Sequence, residues 1–217
     1  MIKMAKSNEA DRLFNEDINP KENCNLCKDG SFVVGKKTGY GTVIYKIGDS
    51  KNGWFSTLSA KTGGNSKTDF TIQLMPFLHL THFSQIESYP KLAENYGTAF
   101  SKLCRAMTTV LMQEEDLKSN SEKIGLSVPI GIYGKCTTWK EKKEHLHVKI
   151  FQFRSNIGQP FTVDSSFGKK EIFKETDTGK EFVKMDPVKK VVIEPERFDR
   201  LSRKLISLLK NKNVWEN

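Results

Sequence analysis

The chain has 217 residues, 37% hydrophobic and 28% charged, an ordinary globular composition long enough to bury a core. No apolar run approaches the roughly 20 residues of a membrane span, which excludes a transmembrane helix of the usual kind. The formal net charge of +9 fits a lysine-rich solvated surface and, more sharply, an anionic ligand. No aromatic-and-basic motif of an RNA-binding sheet is present, so a small phosphorylated ligand is favoured over nucleic acid.

Residues 1–22 read as a polar N-terminal arm without an apolar signal core, so a cytoplasmic location is expected. The four cysteines, Cys24, Cys27, Cys104 and Cys136, are then not expected to form a disulfide framework. Cys24-Asn25-Leu26-Cys27 is a Cys-x-x-Cys knuckle with three readings: half a zinc site, a redox pair, or chance. A redox pair of the thioredoxin type starts a helix after a buried strand, and neither is evident from the residues. Residues 31–34, 41–47 and 54–58 are predicted short strands between glycine turns. Residues 60–68 superficially resemble a phosphate-binding loop, but with the wrong spacing, so a mobile hairpin loop is expected.

Residues 70–75 alternate in hydrophobicity as a sheet strand does, and Pro76-Phe77-Leu78-His79 ends it. Residues 91–113 carry Leu92, Tyr96, Ala99, Phe100, Leu103, Met107, Val110 and Leu111 at helical spacing, a broad apolar face for packing on the sheet. Pro90 suits its first turn. Residues 114–123 read as a charged loop or frayed helix end, and residues 128–133 as a strand. A basic turn holds Lys135, Lys140, Lys142 and Lys143. The stretch 144–151 alternates again, with Leu146, Val148 and Ile150 on one face and His145, His147 and Lys149 on the other. Beyond residue 159 the chain turns polar, with Phe161, Phe167, Phe173 and Phe182 as anchors for loops or short strands. Residues 188–193 are a last strand candidate, and residues 195–212 an amphipathic helix with Phe198, Leu201, Leu205, Leu208 and Leu209 on one side.

All four histidines fall in two short segments, His79 and His82 in one and His145 and His147 in the other. A tetrahedral zinc ion takes four ligands from cysteine sulfur and histidine nitrogen. Cys24 and Cys27 supply two, His79 a third and His145 a fourth, which leaves His147 for catalysis. His82, three residues on, is the alternative to His79.

His145-Leu146-His147-Val148-Lys149-Ile150-Phe151 resembles the histidine-triad (HIT) signature, His-x-His-x-His followed by apolar residues. Residues 73–80 resemble the strand and Pro-x-x-His segment before that family's main helix. The knuckle resembles the one that opens many bacterial members and the galactose-1-phosphate uridylyltransferases. The ordered set covers residues 23–153, and residues 154–217 form a C-terminal strand-helix extension packed on or beside it. The resemblance implies an α+β fold, with an antiparallel sheet of about five strands and a long packed helix. It implies a bound nucleotide or nucleoside phosphate conjugate, a homodimer, and a covalent nucleotidyl-histidine formed by His147. It also implies zinc held by Cys24, Cys27, His79 and His145. Two departures stand out. Lys149 replaces the third histidine, where it would stabilise phosphate charge. The hydroxyl residue that usually precedes the motif is missing, which shifts phosphate contacts to Lys142 or Lys143. The expected function is therefore a nucleotidyl hydrolase or transferase, with a catalytically inactive nucleotide-binding regulatory protein as the alternative.

Overall fold

The computed structural model describes residues 17–62, 66–114, 129–134, 145–152, 167–174, 178–179, 181–187 and 191–210. Their elements are α1 (Asn25–Ser31), β1 (Gly41–Ile47), β2 (Trp54–Ser59), β3 (Lys61–Thr62) and β4 (Thr71–Pro76). A 3₁₀ turn (Phe83–Ser88), the long helix α2 (Pro90–Gln113), β5 (Pro129–Gly134) and β6 (His147–Gln152) follow. The chain continues through β7 (Phe167–Lys174), β8 (Glu181–Pro187), β9 (Val191–Val192) and α3 (Pro195–Lys210).

The expected α+β class is observed. Five strands form one sheet in the order β1-β2-β4-β6-β5, and every neighbouring pair is antiparallel. The histidine strand β6 thus lies between β4 and β5, the hairpin partner expected for it. Alternation sorts the side chains of each strand onto two faces. Trp54, Leu58, Ile72, Leu74, Val148 and Ile150 join one buried core with the apolar stripe of α2. The Trp54 indole N–H, which needs a partner when buried, donates to the Leu92 carbonyl at 2.8 Å and ties β2 to the helix. On the opposite face Phe55 and Met75 are also buried. There α1 approaches closely, because a Cβ on Gly30 would sit 3.1 Å from the Phe55 ring and 3.2 Å from the Phe77 ring.

Leu103 of α2 is fully buried among these groups. Leu103→Ala lowers the unfolding free energy by about 2–5 kcal/mol, the usual cost of a core cavity. Urea denaturation reads it directly, and an unchanged midpoint would mean the helix is not packed on the sheet.

The C-terminal segment contributes to the same core rather than only lying beside it. Ile193, Phe198, Leu201 and Leu205 are buried within it. Two elements differ from the sequence reading. Residues 31–34 are not a strand: the knuckle opens α1, which ends at Ser31. Residues 60–68 are not wholly a loop, since β3 pairs with β9, and the Ile193 N–H extends that contact by donating to the Ala60 carbonyl at 3.0 Å. Of the strand expected over 188–193, Val191–Val192 form β9 and Ile193 follows it, while residues 188–190 lie outside the described residues. Strands this short take their stability from the partner segment, not from their own pattern. The widely spaced phenylalanines Phe167, Phe173 and Phe182 fall on the β7–β8 hairpin, whose turn holds Gly179 at φ 66°. Phe161, Lys135, Lys140, Lys142, Lys143 and Cys136 lie outside the described residues. No described helix is long and apolar enough to cross a membrane.

Arg197 of α3, which an amphipathic pattern would send to solvent, is buried. Its guanidinium meets both Glu114 carboxylate oxygens at 3.0 and 3.1 Å and donates to the Ser66 and Asp69 carbonyls at 3.0 and 2.9 Å. This joins α3, the end of α2 and the β3–β4 connection. Glu114→Ala leaves the cation without its counter-ion and costs about 3–5 kcal/mol in thermal or urea unfolding. A change within 0.5 kcal/mol, roughly the scatter of surface substitutions, would show the pair to be solvated.

Candidate metal centre and the adjoining histidine

Four side chains from three parts of the chain converge at one end of the sheet. Cys24 occupies the N-cap position of α1 and Cys27 sits in its first turn. His79 follows β4, and its backbone N–H donates to the Ile18 carbonyl at 2.7 Å. His145 lies just before β6. A backbone hydrogen bond helps bring the two histidine segments together, from Leu146 N–H to the Leu80 carbonyl at 2.6 Å. It joins the residues that follow His145 and His79 in the chain.

The ligand atoms of Cys24, Cys27, His79 and His145 all lie within 4.8 Å of one another, and the group could hold a metal ion. Cys27 Sγ is 3.3 Å from His79 Nδ1 and 3.4 Å from His145 Nδ1, and Cys24 Sγ is 3.6 Å from His145 Nδ1. A tetrahedral ion bonded at about 2.3 Å to sulfur and about 2.0 Å to nitrogen would set such atoms about 3.5 Å apart. The observed separations bracket that edge length. Both histidines and Cys24 are buried, which protects the cluster from water.

The electrostatics favour a cation. The hydrogen bond from Cys27 holds the Cys24 thiol far below its usual range, helped by His145 and His79 and opposed by burial. The same bond, together with burial, pushes the Cys27 thiol up. A bound dication would take both sulfurs as thiolates. His145 Nε2–H donates to the Pro76 carbonyl at 2.9 Å, which turns the Nδ1 lone pair toward the two sulfurs. Such an outer partner fixes both tautomer and ring orientation.

His147 stands one alternation further on, at the start of β6, and is buried. Its Nδ1–H donates to the His145 carbonyl at 3.2 Å, so Nε2 is the nitrogen that keeps its lone pair. The residue whose ring joins the cluster thus also orients the next histidine through its backbone. Lys149 is half-buried at the middle of β6, opposite Gln73 on one side and Ile132 on the other.

His145, expected on the strand, lies before it. The pairing of β4 with β6 ends at Leu74 and Val148, and Pro76, the last residue of β4, has no N–H with which to extend the ladder. His82 is not part of the cluster. Its ring accepts from the Ser84 N–H at 3.2 Å, and the Gln85 side chain accepts from its backbone N–H at 2.9 Å, which caps the 3₁₀ turn. The helix that a redox reading of the knuckle requires is present as α1. No strand precedes it among the described residues, and both sulfurs face imidazole. The two carbonyls that orient His145 and His147 leave no mark in the sequence, because they belong to the backbone.

No family model, curated protein or solved structure matches this chain.

Proposed function

We propose that the chain is a zinc-containing nucleotidyl hydrolase or transferase of the histidine-triad type, with His147 as the covalent nucleophile. The observation that carries this reading is the 3.2 Å contact from His147 Nδ1 to the His145 carbonyl, beside a four-ligand cluster that includes the His145 ring. Two sulfurs and two imidazoles are the donor set of a structural zinc site with no open position. Zinc there, when bound, supplies rigidity: it fixes the His145 ring, and with it the carbonyl that holds His147.

The chemistry then belongs to the side chains. A neutral imidazole is a competent nucleophile, and with Nδ1–H held by the His145 carbonyl the nitrogen that His147 presents is Nε2. Nε2 attacks the α-phosphorus of a nucleoside phosphate conjugate, a P–N bond forms, and the leaving group departs with its electron pair. Water or another phosphate then attacks the phosphoramidate, the P–N bond breaks, and imidazole is restored. Lys149, on the same face, brings an ammonium to the charge that builds on the phosphoryl oxygens. Turnover of adenosine 5′-phosphoramidate by the purified protein tests this reading, and it is expected to be measurable above the uncatalysed rate. The presence of Lys149 where a third histidine is expected favours one other reading, a nucleotide-binding protein without turnover. That reading predicts binding of adenosine 5′-monophosphate with no phosphoramidate hydrolysis.

A further inference from the structure

We propose that Gln73 is a phosphate-binding residue of the His147 site, oriented by the buried Thr57 hydroxyl. This rests on the reading of His147 given above. The strand registers place Val43, Thr57, Gln73 and Lys149 in one row across β1, β2, β4 and β6. Directly opposed residues in an antiparallel sheet share a face, with Cβ atoms about 4.5–5.5 Å apart. Gln73 therefore neighbours Lys149 directly. It is the diagonal neighbour of His147, at roughly 7–8 Å, a gap that a long side chain and a bound phosphoryl group span together. On the other flank, β5 sets Gly134, which has no side chain, opposite His147.

A glutamine at the centre of an inner strand calls for a physical reason. Its neighbours along β4, Ile72 and Leu74, are fully buried, and on its own face Met75 and Phe55 are too. Gln73 is half-buried. Thr57 is 1% exposed, and its hydroxyl donates to the Gln73 Oε1 across a long 3.5 Å. With the oxygen turned to Thr57, the amide group carries its two N–H donors on the other side. Those donors and the Lys149 ammonium are all hydrogen-bond donors. A row that offers donors and one positive charge suits the acceptor-only oxygens of a phosphate ester.

The test compares wild type with Gln73→Glu, Gln73→Leu and Thr57→Val, in the full chain. Gln73→Glu keeps the size and the acceptor for Thr57 but exchanges the donors for a negative charge. Calorimetric titration with adenosine 5′-monophosphate gives Kd, phosphoramidate turnover gives kcat and KM, and thermal melting monitors the fold. Kd is expected to rise roughly 10- to 100-fold in Gln73→Leu, the worth of a hydrogen bond to a charged group, and further in Gln73→Glu. Thr57→Val shifts KM several-fold in the same direction, and melting of Gln73→Glu stays near wild type. An unchanged Kd in Gln73→Glu with an intact fold overturns the proposal and leaves Gln73 a strand-packing residue. A wild type that binds the nucleotide without turnover refutes the enzymatic reading while the Kd series still decides Gln73. A wild type that binds no nucleotide overturns the Gln73 proposal as well.

Discussion

His147→Ala abolishes phosphoramidate turnover and adduct formation while nucleotide binding stays measurable. Loss of a covalent nucleophile costs on the order of 10⁴–10⁶ in rate, because the two-step route has no replacement. Binding persists because Lys149 and the neighbouring strands remain in place. The companion change, Lys149→Met, keeps the nucleophile and removes the ammonium. It slows turnover by on the order of 10²–10³, as loss of one preorganised donor to a charged transition state does. The pattern across both variants matters more than either alone. An active His147→Ala enzyme overturns the mechanism, whereas a Lys149→Met enzyme at wild-type rate makes that lysine a strand residue without a part in the reaction.

The second large effect is on metal. Purified protein is expected to carry about one zinc per chain, as a four-ligand centre demands. Cys24→Ser removes one thiolate and lowers both zinc content and melting temperature. The coupling to stability follows from where the ligands sit: the cluster draws together α1, the segment after β4 and the residue before β6. Structural zinc sites of this kind contribute on the order of 10–16 kcal/mol of binding free energy, which is felt as folding free energy. Turnover falls too, since the His145 carbonyl that orients His147 moves with the His145 ring. Zinc below roughly a tenth of an equivalent per chain, against the single site expected of four ligands, would remove the metal from the account.

How much of this is legible in the residues depends on the range of the interactions involved. The helix α2 is, because its apolar face repeats locally over 24 residues and Pro90 marks its start. The four clustered ligands are as well, because the four histidines fall in two close pairs and Cys24 and Cys27 form a third. The choice between His79 and His82 is not a matter of spacing. It turns on Ser84 and Gln85, which give His82 a capping role in the 3₁₀ turn and leave His79 to the cluster. Short elements escape notice: α1 has seven residues and no side-chain cap, so neither periodicity nor capping announces it. Arg197 escapes for another reason. On a helical pattern it is one more exposed basic residue, but its partners Ser66, Asp69 and Glu114 lie 131, 128 and 83 positions away. The same holds for Gln73, whose neighbours Thr57 and Lys149 are set by strand register and not by sequence distance.

The central claim is that His147, held by the His145 carbonyl, becomes covalently nucleotidylated. Mass spectrometry after brief incubation with a nucleoside phosphoramidate, quenched at alkaline pH, measures this on the protein itself. The account predicts a single nucleotidyl group per chain, lost in acid, in the peptide that spans residues 145–152, and absent from His147→Ala. An adduct on another residue, or full turnover with no adduct at any time of quenching, would contradict it.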